Sequence, residues 1–290
     1  VLTRTASIIL CCLTFALVVL GGFVHATGAS LACPDWPTCH GSLVPPMVGG
    51  VRFEHSHRIL AGIVVVVTLL LVVLARRQGV RRLERVAFVA LGLVVVQALL
   101  GAATVLLRLP AAVSIAHLAV AMSFFVVSIW LAWSLHPTSA RIVPDAVARR
   151  RAAHLALCSV AVQILLGALV RHTSSGLACN SFPGCDGSDV ALGSRQWIHL
   201  LHRAGAVAVV AGVGWLALRS LRGKPSDDQP LVLCAVTLVG AQIILGVLSV
   251  LSTLAAWAVT LHLALGALLL AVLWLDYLLL NAPNTETKPC

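Results

Sequence analysis

The sequence predicts an all-α integral membrane protein with eight transmembrane helices, built as two tandem four-helix bundles related by a pseudo-twofold axis. Three observations predict it: eight apolar segments long enough to cross a bilayer, positive charge concentrated in alternate connections, and a residue register that repeats about 145 positions apart.

Of 290 residues, 60% are hydrophobic and only 10% are charged, too little charge to cover a soluble domain of this length. A span takes roughly 20 apolar residues, the hydrocarbon thickness divided by the helical rise. Segments near 6–27, 56–75, 86–107, 112–135, 152–171, 197–219, 230–251 and 257–280 meet that requirement. The first follows Arg4 in the manner of a leader, but its repeat counterpart, the fifth, lies in mid-chain, so it is read as a span. Arg76, Arg77, Arg81, Arg82 and Arg85 separate spans two and three; Arg141, Arg149, Arg150 and Arg151 separate four and five; Arg219, Arg222 and Lys224 separate six and seven; Arg4 and Lys288 flank the ends. The opposite side carries Arg52, Arg58, Arg108, Arg171, Arg195 and Arg203. The positive-inside rule therefore places both termini in the cytoplasm. The net charge of +10 is topological and calls for no nucleic-acid partner.

His57-Arg58 matches His202-Arg203 and His117 matches His262, each at an offset of 145; Gln97 to Gly101 matches Gln242 to Gly246 at the same offset. Leu31-Ala32-Cys33 matches Leu177-Ala178-Cys179, and Cys39 matches Cys185, at 146, so one insertion in the first loop explains the shift. Four spans per copy give both copies the same orientation. The expected division is an N-terminal bundle over 1–135, a cytoplasmic linker over 136–151, a C-terminal bundle over 152–280 and a cytoplasmic tail over 281–290.

Ionisable residues inside spans are functional candidates by default. His57, His117, His202 and His262 lie inside spans, near their outward ends, in two repeat-related pairs. Two neutral imidazoles from facing helices supply both axial positions of a haem iron. The alternative is interhelical hydrogen-bond glue, which four histidines duplicated in register at one depth argue against. Two histidines without duplicated carboxylates or cysteines are thin ligation for zinc or non-haem iron. His25 and His172 read as interfacial polar residues or as contacts to haem propionates. His136 and His154 read as solvated cytoplasmic residues, and His40 and His55 as open assignments.

The copies differ where Glu54 of the first stands opposite His199 of the second. Residues i and i+3 share a helix face, so Glu54 is expected to project towards the same cavity as His57, one turn outward, where a partly desolvated carboxyl can move protons. The competing reading is a helix cap or an ion pair with Arg52 or Arg58. The pairs Cys33/Cys39 and Cys179/Cys185 fall on the oxidising side and read as two intra-loop disulfides, with metal ligation and redox exchange as alternatives. Cys11, Cys12, Cys158 and Cys234 read as small packing residues, and Cys290 as uninformative.

Taken together, Glu54-His55-Ser56-His57-Arg58, His117, Leu201-His202-Arg203, His262, the paired loop cysteines and the duplicated four-span unit resemble the haem A synthase family over nearly the whole chain. The resemblance implies an oxidoreductase that converts a ring methyl of haem O to a formyl group through a hydroxymethyl intermediate. It implies a haem b cofactor on His202 and His262, substrate haem on His57 and His117, and Glu54, with His57, as catalytic residues. It also implies a cell-membrane location, lipid contact, an electron donor, a haem O synthase supplying substrate, and association of copies. A di-haem b-type electron-transfer subunit, such as part of a quinol oxidoreductase, is the competing function, and a two-bundle transporter a weaker one.

Overall fold

The computed structural model describes residues 1–135, 145–182, 184–185, 192–222 and 225–282. His136, Arg141, Lys224, Lys288 and Cys290 lie outside the described residues. Among those described, eight α-helices form: α1 (Leu2–Ala26), α2 (Val51–Gln78), α3 (Arg81–Leu106), α4 (Ala111–Ser134), α5 (Ala146–His172), α6 (Ser194–Leu221), α7 (Gln229–Leu251) and α8 (Ala256–Leu280). All eight are long and apolar enough to cross a membrane. Lipid gives backbone polar groups no partner, so a spanning segment satisfies them internally, as a helix does.

The helices outrun the apolar segments by up to six residues, because charged residues at their ends are good helix formers. Arg149, Arg150 and Arg151, expected in a linker, lie inside α5. Arg149 is only 1% exposed. Its guanidinium donates to both carboxylate oxygens of Asp228 at 2.9 and 3.2 Å and to Ser226 Oγ at 2.5 Å. Ser220 Oγ adds a 2.6 Å bond to Asp228. Asp276 of α8 is buried beside them, with neither oxygen hydrogen-bonded. The positions equivalent to Arg149, Ser220, Asp228 and Asp276 in the first half are Thr3, Ala75, Leu83 and Leu131, all buried and none charged.

α1 packs on α2, α2 on α3, α3 on α4 and α4 back on α1; α5 to α8 close in the same way. The two rings meet through α1 on α8, α4 on α5 and α4 on α8. Exchanging each helix for the one four places on leaves this set of contacts unchanged. At the seam Gly22 of α1 admits Leu263 of α8: a Cβ on Gly22 would lie 2.3 Å from Leu263 Cδ2. One core cluster fills the first ring (Leu10, Leu71, Phe124, Leu131). The other fills the second ring and reaches across the seam to Val18, Met122 and Phe125.

Helix ends repeat down to single hydrogen bonds. Ala29 N–H donates to Val24 O and Ser175 N–H to Val170 O, both at 2.9 Å. Leu109 N–H donates to Thr104 O at 2.7 Å and Leu254 N–H to Ser249 O at 2.8 Å. Both of these latter turns place two residues at positive φ, Arg108 and Leu109 in one and Thr253 and Leu254 in the other. Of the four cysteines read as packing residues, Cys12, Cys158 and Cys234 instead lie on the outer surface and only Cys11 is half-buried. A small apolar thiol suits a lipid-facing position as well as a core one.

Removing one partner of a buried ion pair leaves an uncompensated charge. Asp228→Ala is expected to cost about 3–5 kcal/mol, read as reduced denaturant resistance in detergent, while Arg149→Met with Asp228→Leu stays near wild type. A cost below about 1 kcal/mol for the single variant would contradict the reading.

Candidate functional site

Each of the four span histidines rests against a glycine of the preceding helix. A Cβ on Gly21 would lie 2.9 Å from His57 Cε1, and on Gly101 3.3 Å from His117 Cε1. On Gly167 it would lie 3.2 Å from His202 Cε1, and on Gly246 3.5 Å from His262 Cε1. Each glycine therefore makes the slot that its imidazole fills. Gly21 and Gly167 are repeat-related, as are Gly101 and Gly246, so the four slots are one device used twice.

α2 and α4 stand at opposite corners of their ring, as do α6 and α8. The His202 and His262 rings face each other with centroids 6.5 Å apart and planes at 70°. Nδ1 of His57, His117 and His262 is buried without a hydrogen-bond partner. Glutamines from neighbouring helices steady three of the four. The Gln97 amide nitrogen lies 3.2 Å from His117 Nε2, and that of Gln163 lies 3.1 Å from His202 Nδ1. Gln163 also donates to the His202 carbonyl at 2.9 Å, and Gln242 to the His262 carbonyl at 2.8 Å. The position equivalent to Gln163 in the first half is Leu17, so His57 lacks this support.

Both loop cysteine pairs are disulfides, Cys33–Cys39 and Cys179–Cys185. His55 is buried with its ring nitrogen within 4.8 Å of both sulfurs of the first. The sulfurs are bonded to each other, so this trio is a packed disulfide and offers no thiolate to a metal.

Arg58 and Arg203, each directly after a span histidine, reach out of the helix and hold these loops. Arg58 donates to the carbonyls of Asp35 at 2.7 Å, Thr38 at 2.5 Å and Cys33 at 3.1 Å. Arg203 donates to those of Ser181 at 2.6 Å and Cys179 at 2.8 Å, and to that of Gly184. The histidine thus faces inward and its neighbouring arginine pins the lid outside. The duplicated His-Arg dipeptide was the available signal for this clamp, and the in-register Gly101 and Gly246 the signal for the slots.

Glu54 is 4% exposed. Of the two readings of this residue, ion pairing with Arg58 is present: Arg58 donates to Oε1 at 2.6 Å. Cys33 N–H donates to Oε2 at 2.8 Å, so the carboxylate ties the first helical turn of α2 to the disulfide loop. Asp35 organises that loop from the solvent side. Thr38 Oγ1 and the backbone N–H groups of Gly41 and His40 donate to its carboxylate, and the Thr38 bond above all holds its pKa down at about 2. His40 is exposed. His154 is exposed as well, with its ring 5.9 Å from that of Tyr277.

Fold and site together define a multi-pass membrane protein with two repeat-related pairs of inward histidines beneath disulfide-closed loops. The chain belongs to the COX15-CtaA family of cytochrome oxidase assembly proteins, whose pattern matches residues 4–49 and 51–274. It is 28% identical over 288 residues to a Lysinibacillus sphaericus protein named heme A synthase, covering 94% of this chain and 93% of that one. Proteins of the same name from Bacillus pumilus and Geobacillus thermodenitrificans are each 27% identical, covering 98% and 94% of this chain and 97% and 89% of theirs.

Arg58→Ala is expected to unpin the first loop. Reduction of Cys33–Cys39 by a phosphine, followed by thiol alkylation and mass analysis, should run roughly tenfold faster or more, the loss of charge-assisted bonds worth over 1.4 kcal/mol. An unchanged rate would contradict the clamp. The pH dependence has a definite sign. A depressed carboxyl pKa stabilises above the unfolded value of about 4 and loses that contribution as pH falls through the folded value. The loop should therefore resist the phosphine from pH 7 to 4 and open as pH approaches 2. Opening already complete at pH 5 would contradict the role of Asp35.

Proposed function

We propose that this chain is a haem A synthase, an oxidoreductase that converts haem O to haem A. The observation that carries the reading is the His202–His262 pair, 6.5 Å between ring centroids, presented from opposite corners of a helix ring and slotted against glycine. Two imidazoles sharing one metal ion, with bonds of about 2 Å, place their ring centroids roughly 6 Å apart, so the pair fits a bis-imidazole iron. The near-complete match to proteins named heme A synthase supports the reaction.

In this reading the two rings are two copies of one unit, 1–135 and 152–280, joined by the linker 136–151 and followed by the tail 281–290. The axis between them runs along the membrane normal, both termini are cytoplasmic, and the protein sits in the cell membrane. His202 and His262 hold a resident haem b. His57 and His117 receive haem O. Bound haem supplies the oxidative and electron-relay chemistry. The residues of the chain then divide the remaining work. Gln163 and Gln242 fix the C-terminal pair in place, as suits a permanent cofactor. His57, without such a glutamine, suits a group that must enter and leave. Glu54 lies one turn outward of His57 as a carboxylate held by Arg58 and Cys33 N–H. There it stabilises positive charge beside the reacting methyl or accepts a proton from it. The disulfide loops exclude water from above. An electron donor and a haem O synthase are the partners this role calls for.

The test is haem extraction and mass analysis of the purified protein from cells that make haem O. Wild type is expected to yield haem A, whereas Glu54→Ala should retain bound haem and yield haem O with at most about 1% of the product. Full conversion by Glu54→Ala would contradict the catalytic assignment. Haem recovered unchanged from wild type would favour a di-haem electron-transfer subunit instead.

A further inference from the structure

The two rings share one polar cluster at the outward end of their seam. The ring of His25, at the end of α1, lies 4.7 Å from that of His172, at the end of α5, centroid to centroid. Arg171 reaches across the seam to donate from Nη2 to the His25 carbonyl at 2.9 Å. Its Nε is buried without a partner. His25 Nδ1 lies 3.2 Å from Ser30 Oγ, an arrangement that leaves Nε2 available. Among the described residues no carboxylate pairs with Arg171. A guanidinium and two imidazoles thus converge with spare donors and no acid, in a place where lipid supplies little solvation.

Its position is tied to the histidine slots. His25 lies four residues beyond Gly21, and Arg171 four beyond Gly167, and these glycines touch His57 and His202. Residues i and i+4 share a helix face, so both side chains sit one turn outward of an imidazole slot. His25 and Arg171 are themselves repeat-related at an offset of 146, a basic side chain placed at the same point of each unit.

We propose that His25, Arg171 and His172 form one carboxylate-binding site at the seam, and that its ligands are the propionate groups of haem held at the histidine pairs. The proposal rests on the haem reading above and adds to it how the macrocycle is oriented. Carboxylates drawn outward to the seam turn the opposite edge of the ring inward, so the cluster fixes which substituents meet which residues. Guanidinium suits a carboxylate through parallel N–H donors, and a neutral imidazole adds a further donor.

The test uses the full-length chain, purified haem-free in detergent and titrated with ferric protoporphyrin IX or its dimethyl ester, with the Soret band as readout. Wild type is expected to bind the diacid at least about tenfold more tightly than the ester. Arg171→Gln should lose roughly that preference by weakening diacid binding alone, and Arg171→Lys, which keeps the charge, should retain part of it. Equal weakening of diacid and ester would show that Arg171 only supports the fold and would overturn the site. An unchanged preference in Arg171→Gln and in His25→Gln would overturn it as well. Wild-type protein that binds neither porphyrin would overturn the haem reading and this site together.

Discussion

An imidazole inside a membrane-spanning bundle needs room and needs something to do with its nitrogens, and the architecture follows from meeting that need four times. Apolar side chains would close the space between adjacent helices. Glycine at four positions keeps it open, and the ring of a histidine on the next helix fills it. The outward turn of each helix must then be sealed against water. The arginine that follows His57 and the one that follows His202 do this by gripping the carbonyls of a disulfide loop. Slot, ring and clamp meet around one His-Arg dipeptide, and its duplication gives the molecule two comparable candidate sites.

What differs between the copies is as informative as what repeats. Glu54 joins Arg58 and the first loop, where the second copy has His199. Gln163 braces His202, where the first copy has Leu17. A buried Arg149–Asp228 pair ties the inner end of the second ring, where the equivalent positions of the first are the uncharged Thr3, Ala75, Leu83 and Leu131. The last two differences make the second unit the firmer one, and the first leaves a buried carboxylate beside a histidine of the first unit that has no glutamine brace. That asymmetry is what separates a resident cofactor from a transient substrate in the proposed function.

Much of this was legible in the sequence because lipid imposes simple rules. Span length and the apolar runs located the eight helices of the described residues, and the in-register cysteines marked both disulfides, as the in-register histidines marked the candidate site. Helix ends were less legible. The Arg149–Arg151 run reads as a loop by charge, yet arginine is a good helix former, and Asp228, some eighty residues away, lets Arg149 be buried there. The orientation of Glu54 was likewise undecided, since spacing allows both the cavity and Arg58, and only the folded loop supplies Cys33 N–H as its second partner. The seam cluster of His25, Arg171 and His172 depends on contacts between α1 and α5, four helices apart in the chain, that no local pattern states.

In the proposed function His202 and His262 jointly hold one haem iron. Low-temperature electron paramagnetic resonance of the purified oxidised protein tests it most directly. In protein purified from cells that make no haem O, which leaves His57 and His117 without substrate, a low-spin ferric signal of bis-imidazole type is expected that disappears in both His202→Ala and His262→Ala and persists in His57→Ala. A signal that survives loss of either residue, or wild-type protein with no low-spin haem at all, would contradict it.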